Sequence, residues 1–310
     1  MITIIKNTDT GFEQLTSPKE GCWINLIDPS SEEIEQVHKD LEIPKDFITY
    51  PLDLDERARI EKEDGIMLIV LRIPQNQGEN SDVPYVTLPL GIVYGRGLIV
   101  TVCRTSNDLL NDLVNGTSRK VNTAKRNRFL LNLFHATANK YLNYLREVNK
   151  SVDVLEDQLQ MSLRNREVLE LLKYQKCLTY FTTALKSNAR MMARLQNSGL
   201  FDTYPDDEDL LDDVLTEIGQ AIEMTEISSG ILSQMMDAFA SIISNNLNVV
   251  MKFLASVTIV LSLPTIVASF YGMNVRLPFE NHNQAFWIAI SISLVLSFSI
   301  VILFRKKDWL

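Results

Sequence analysis

Along residues 1–115 apolar and polar positions alternate in short runs: Met1–Lys6, Trp23–Ile27, Gly65–Ile73, Val86–Tyr94 and Leu98–Cys103. Turn residues such as Pro74–Gly78 and Gly95-Arg96-Gly97 part them, and a period of two bounded by turns predicts strands. Ser30-Ser31-Glu32-Glu33 offers a capping serine and two carboxylates for a first helical turn, and Ser106 is placed to cap a helix over Asp108–Val114. An α/β domain of about 115 residues is large enough to close its own core.

From Val121 the period becomes helical. Phe134, Ala138, Tyr141, Leu145, Val148, Val152, Leu155 and Leu159 step by four and three, a heptad seam. That helix should end near Leu163, with Asn165 capping the next and Ser198-Gly199 stopping it after Asn197, so that the two form an antiparallel pair. After Pro205 there is no proline until Pro264, and Leu211, Leu215, Ile218, Ile222, Thr225, Ser229, Leu232, Met236, Phe239 and Ile243 keep the same step. A helix over Asp206–Tyr271 would be about 100 Å long at 1.5 Å per residue. No isolated monomer leaves such a rod unsupported, which predicts a stalk in an oligomer.

The pattern ends in two uncharged apolar segments, Phe253–Tyr271 and Ala285–Phe304. Each is about 20 residues, enough for an α-helix to cross roughly 30 Å of hydrocarbon. The short loop between them holds no domain, so they form a hairpin. Lys252 stands before the first segment and Arg305, Lys306 and Lys307 follow the second, while the loop has Arg276 against Glu280; the asymmetry predicts cytoplasmic outer flanks. The start, MITIIKNTDT, has neither a signal-peptide core nor a transit-peptide pattern. Cys22, Cys103 and Cys177 are scattered without metal-ligand spacing, which suits reduced, buried thiols.

Charge sharpens the division. The formal charge is −9, but residues 252–310 hold five basic residues against two acidic ones, a balance of +3, leaving −12 on the remainder. Such a field repels nucleic acid and anionic lipid and attracts cations, although acidic soluble domains are also common. There is no glycine-rich phosphate loop, Walker pattern or nucleophile motif, and His38, His135 and His282 stand apart. This argues against an enzyme and against a nucleotide site, so any transport should be passive.

One face of the long helix stays polar or small from the cytosol through the bilayer: Asp237, Ser241, Ser244, Asn248, Met251, Ala255, Thr258, Ser262, Thr265 and Ser269. Such a stripe facing lipid would be costly and points to a bundle interior or a wet path. The alternative is that these residues allow close helix contact or bond back to the preceding turn. Its membrane part has no carboxylate and no histidine. Mg²⁺ gives up its waters reluctantly and can be held through them by amide and carbonyl oxygens, with Asn248, Thr258, Ser262 and Asn274 as suitable partners of its water shell, and an uncharged path lets the ion leave.

Tyr271-Gly272-Met273-Asn274 follows a proline-containing membrane helix and precedes a short loop and a second helix ending Arg305-Lys306-Lys307-Asp308-Trp309-Leu310. With Cys22–Pro29 (CWINLIDP) and Leu54–Glu61 (LDERARIE), this placement resembles the CorA-type magnesium and cobalt transporter family over essentially the whole chain. The resemblance implies an α+β membrane protein: a cytosolic α/β/α domain, a stalk helix continuing into the first membrane helix, a second membrane helix, and a homopentameric funnel. Expected divisions are an α/β domain at 1–120, a helical pair at 121–205, the stalk at 206–248, membrane helices at 249–271 and 285–304, an outer loop at 272–284 and a basic tail at 305–310.

Residue by residue, it implies that Gly272, Met273 and Asn274 form the selectivity filter, with the asparagine holding the hydrated ion. Asn248 and Met251 match inner pore positions, Leu254 an apolar gate, and Asp237 an acidic ring; Ala255, Thr258, Ser262 and Thr265 continue the pore lining. Leu254 lies beside the stripe, and helix rotation between closed and open states would bring it to the axis. Six carboxylates crowd Asp206–Asp213, where the bland reading is a solvated helix start. The family implies that Asp213, with Asp209 and Asp212 beside it, binds a regulatory Mg²⁺ between subunits; Asp82 and Glu79 are the candidates for the opposing ligand. The outer loop VRLPFENHN is less acidic than the family's usual stretch, Arg276 adds positive charge at the mouth, Pro264 sits close to the signature, and His282 is a lone possible ligand. Mg²⁺ is thus expected as both cargo and regulator, with no organic cofactor, and the partners are the other subunits, the lipid bilayer and divalent cations. The rivals are a zinc or other divalent carrier of the same family, coupled to protons, and a non-conducting membrane-tethered coiled-coil sensor.

Overall fold

A computed structural model describes residues 1–8, 11–78, 81–114, 122–161, 165–201, 204–274, 284–307 and 309. The chain divides into two compact units, Met1–Met235 and Met236–Leu310.

The first unit is built on one sheet of seven strands in the order β2-β1-β3-β7-β6-β5-β4. These are β1 (Ile2–Thr8), β2 (Gly11–Leu15), β3 (Trp23–Ile27), β4 (Arg59–Glu63), β5 (Ile66–Asn76), β6 (Tyr85–Gly95) and β7 (Leu98–Cys103). All neighbours pair antiparallel except β3 and β7, which run parallel. The alternation within β5 sorts its side chains onto two cores. Met67, Ile69, Leu71 and Ile73 join Trp23, Leu90 and Ile92 under α3 (Asp108–Val114), α4 (Arg126–Met161), α5 (Asn165–Gln196) and the start of α6 (Pro205–Tyr271). Ile66, Leu68 and Val70 face the other way, with Ile24, Leu26 and Val100, under α1 (Ser31–Leu41) and α2 (Lys45–Thr49). The result is the three-layer α/β/α arrangement.

Local chemistry fixes the joints. Ser30 and Glu33 form a reciprocal capping box at the start of α1. Asn107, not the expected Ser106, serves the start of α3: Leu109 N–H donates to its Oδ1 at 2.7 Å, while its amide donates to Pro74 O. β5 continues through Pro74, which the sequence marks as a turn, because β4 ends its pairing at Val70 and leaves the outer side of β5 open to a proline. At Gly91 an added Cβ would lie 2.1 Å from Pro51 Cγ, so only glycine admits the 3₁₀ turn Tyr50–Leu52 onto β6. The LDERARIE segment is tied down by Arg72, whose guanidinium donates to Leu54 O, Glu56 O and Thr87 O. Burial pulls the Arg72 pKa below its ordinary value.

The seam of α4 is buried from Phe134 to Val148, as its spacing predicts. α5 runs antiparallel to it: Tyr141 and Asn188 both reach the backbone of Arg72, while Glu147 and Cys177 both reach Tyr85. The expected ends near Leu163 lie outside the described residues. On α6, Leu211, Ile218, Thr225 and Leu232 are buried, but Val214, Ala221 and Ser228 are buried beside them and Leu215, Ile222 and Ser229 only half-covered. Over this stretch the seam is therefore turned toward the chain's own α4 and α5, to which Glu217 and Ser229 bond through His135 and Gln175.

The second unit holds the remainder of α6 and α7 (Ala285–Lys306). Ser256 and Val267 of α6 are buried and Val260 and Leu263 half-buried, a four-three-four step that marks one face. Ser297 of α7 reaches that face, its hydroxyl donating to Val260 O.

Candidate functional site

The stripe and the α7-facing side of α6 point in different directions. At about 100° per residue, the line through Met251, Ala255, Thr258, Thr265 and Ser269 lies roughly 150° around the helix from the line through Ser256, Val260, Leu263 and Val267. α7 thus covers the back of α6 and leaves the stripe open, exposed at every position except the half-buried Ser262. Asp237 and Asn248 are exposed on the same unit, as are Met251 at 58% and Leu254 at 53%.

Three hydroxyls of the stripe bond back to their own helix, the alternative the sequence left open. Thr258 Oγ1 donates to Leu254 O at 2.8 Å, Ser262 Oγ to Ile259 O at 2.8 Å and Thr265 Oγ1 to Leu261 O at 3.4 Å. Each hydroxyl has one hydrogen, so a back-bonded group offers its surroundings only lone pairs. Back-bonding and a polar lining are therefore compatible: the former converts the hydroxyls into acceptors.

At the end of α6, Gly272 N–H donates to Ala268 O at 3.0 Å and Met273 N–H to Phe270 O at 3.2 Å, closing the helix before Asn274. A Cβ on Gly272 would meet Ala268 O at 3.3 Å, so the turn is tight there. Met273 lines one open depression with Ser262, Thr265 and Ser269, which brings part of the signature onto the stripe. Asn274 is exposed. Arg276, Glu280 and His282 lie outside the described residues.

The acidic start of α6 separates into two sets. Asp207, with its side chain 7% exposed, pairs with Arg128 Nε at 3.2 Å, and Asp206 reaches the same guanidinium at 3.5 Å. Asp209, Asp212 and Asp213 are exposed and have no ion-pair partner among the described residues. No cluster of three or more metal-binding side chains is found among the described residues. Asp82 is exposed and Glu79 lies outside the described residues.

Two features escaped the sequence reading. The Arg128–Asp207 pair joins α4 to α6 across 79 positions, and nothing in the local pattern selects which of six carboxylates is buried. The Ser297 contact had a signal in Pro264, which must leave a carbonyl unpaired, but its donor lies on another helix.

An α/β/α unit joined through one 67-residue helix to a hairpin of two helices, both long and apolar enough to cross a bilayer, defines a two-span membrane protein. Residues 18–306 match the family model described as CorA-like Mg2+ transporter protein, and the chain belongs to that family. Among its relatives, the cobalt/magnesium transport protein CorA of Methanocaldococcus jannaschii is 27% identical, over 93% of this chain and 91% of the relative. The magnesium transport protein CorA of Helicobacter pylori is 22% identical, over 98% and 95%. The complete structure of the CorA magnesium transporter from M. jannaschii superposes with a TM-score of 0.86 at 24% identity, covering 100% of this chain and 99% of that one, so the fold is shared from end to end.

Proposed function

We propose that five copies of this chain form a gated, passive pore for hydrated divalent cations, Mg²⁺ first and Co²⁺ or Ni²⁺ after it, in the cell membrane with both termini cytoplasmic. The observation that carries this reading is the set of back-bonded hydroxyls Thr258, Ser262 and Thr265, which present lone pairs on the side of α6 away from α7. A hydrated cation turns the hydrogens of its water shell outward, and a wall of lone pairs receives them without stripping the ion. The names of the relatives, magnesium and cobalt transport proteins, support the same cargo.

In this reading Gly272, Met273 and Asn274 form the outer filter, Leu254 the narrow apolar gate, Asn248 and Met251 the inner pore positions, and Asp237 an acidic ring at the inner approach. Asp213, with Asp209 and Asp212, holds a regulatory Mg²⁺ at a subunit boundary; these are three of the four carboxylates that Arg128 leaves unpaired. Driving force comes from the gradient and the membrane potential, about 2.3 kcal/mol per charge per 100 mV.

Purified protein in liposomes loaded with a Mg²⁺ indicator tests the pore. Wild type should admit Mg²⁺ down its gradient, and Asn274→Ala should abolish uptake while the oligomer keeps its size. Full flux in that variant removes the filter assignment. Absence of divalent flux from wild type at every internal Mg²⁺ level removes the pore, and Zn²⁺ flux that needs a pH gradient replaces it with a proton-coupled carrier.

A further inference from the structure

Pro264 lies inside α6, seven residues before its end. A proline has no N–H, so the carbonyl four residues earlier, Val260 O, loses its helical donor. In hydrocarbon an unpaired carbonyl is costly, and proline is tolerated there only when a neighbouring group supplies the missing bond. Ser297 Oγ of α7 supplies it, donating to Val260 O at 3.5 Å. The other hydroxyls nearby behave differently: Ser293 and Ser299, on the same helix as Ser297, bond back to Ala289 O at 2.9 Å and Val295 O at 2.7 Å. Ser297 is thus the α7 serine seen to reach across to the proline site. The carbonyl next in line, Leu261 O, takes the Thr265 hydroxyl.

We infer that Ser297 is a positioning residue for conduction: by bonding the carbonyl that Pro264 leaves unpaired, it holds the outer end of α6, from Thr265 to Asn274, in line with the inner stripe. This rests on the pore reading above. The bend that Pro264 permits separates Thr258 and Ser262 on one side from Ser269 and the filter on the other. With Ser297 in place the two halves keep one axis. Without it Val260 O must find a water or stay unpaired, and the end of α6 swings more freely.

The signature of this arrangement is a dependence on Pro264. Ser297→Ala should lower Mg²⁺ flux in liposomes and speed amide exchange over residues 265–271, each by about threefold, the modest size expected of one long interhelical hydrogen bond in a membrane. Ser297→Thr, which keeps a hydroxyl, should restore both. In a Pro264→Ala background residue 264 regains its N–H, so Val260 O has its helical donor again and Ser297→Ala should change neither quantity. An equal effect of Ser297→Ala in both backgrounds, or no effect of it on exchange in the Pro264 protein, overturns the inference. Exchange needs no transport: altered exchange with a wild type that passes no ion refutes the pore and leaves Ser297's contact standing, whereas wild-type flux with unaltered exchange in Ser297→Ala refutes the contact alone.

Discussion

Thr258→Val is the sharpest perturbation of the stripe, because valine keeps the shape of threonine and removes only the oxygen. The Thr258 hydrogen is already engaged by Leu254 O at 2.8 Å, so the variant takes away one outward acceptor per subunit. In the proposed pentamer five such acceptors ring one level of the path. An octahedral Mg²⁺ shell can direct about two or three waters at a single ring. At a net ~0.5–1.5 kcal/mol each, losing about two to three contacts at mid-range raises the local barrier by about 2–3 kcal/mol. With tenfold per 1.4 kcal/mol, flux should fall roughly 30- to 140-fold. Thr258→Ser, which retains the oxygen, should stay within a few fold of wild type. The assay is Mg²⁺ entry into proteoliposomes, with oligomer size checked by light scattering. Wild-type flux through Thr258→Val would refute the claim that ions pass along this face.

Three further outcomes follow from particular contacts. Asp213→Asn should raise the internal Mg²⁺ needed to close the pore severalfold in a flux titration, whereas an unchanged titration removes the regulatory assignment. Arg128→Met strands the buried Asp207 carboxylate and, since the arginine side chain is itself 33% exposed, should cost about 2–3 kcal/mol; adding Asp207→Asn should recover at least half in thermal unfolding of the detergent-solubilised protein. Burial lifts the Cys177 thiol to about 11, so at pH 8 it ionises about a hundredfold less than an ordinary thiol. Mass spectrometry after brief maleimide treatment should find Cys177 unmodified in the native protein and modified once unfolded.

What could be read in advance divides along physical lines. β3, β5, β6 and β7 are central, apolar and alternating, so a period of two exposes them. β2 and β4 sit at the two edges, and the RIEKE of β4 carries charge as an edge strand should, which hides it from a search for apolar alternation. The heptad step on α6 located its apolar face but not its partner, since a seam looks the same whether it meets another copy or the chain's own α4 and α5. The signature at Gly272–Asn274 was legible because placement in a terminal hairpin makes three residues specific. The direction of each hydroxyl on the stripe was not, because back-bonding and outward bonding use the same residue types at the same spacing.

The acceptor wall of α6 has one more consequence. Between Phe253 and Phe270 no side chain gains or loses a proton in the physiological range, so acidifying either compartment leaves that surface chemically unchanged. In the proposed pore, discrimination against anions along this surface rests on oriented oxygens and is expected to survive at any pH the protein tolerates. Acid sensitivity, should currents display it, has to be written into groups outside the span, and mutating the hydroxyls would leave it intact.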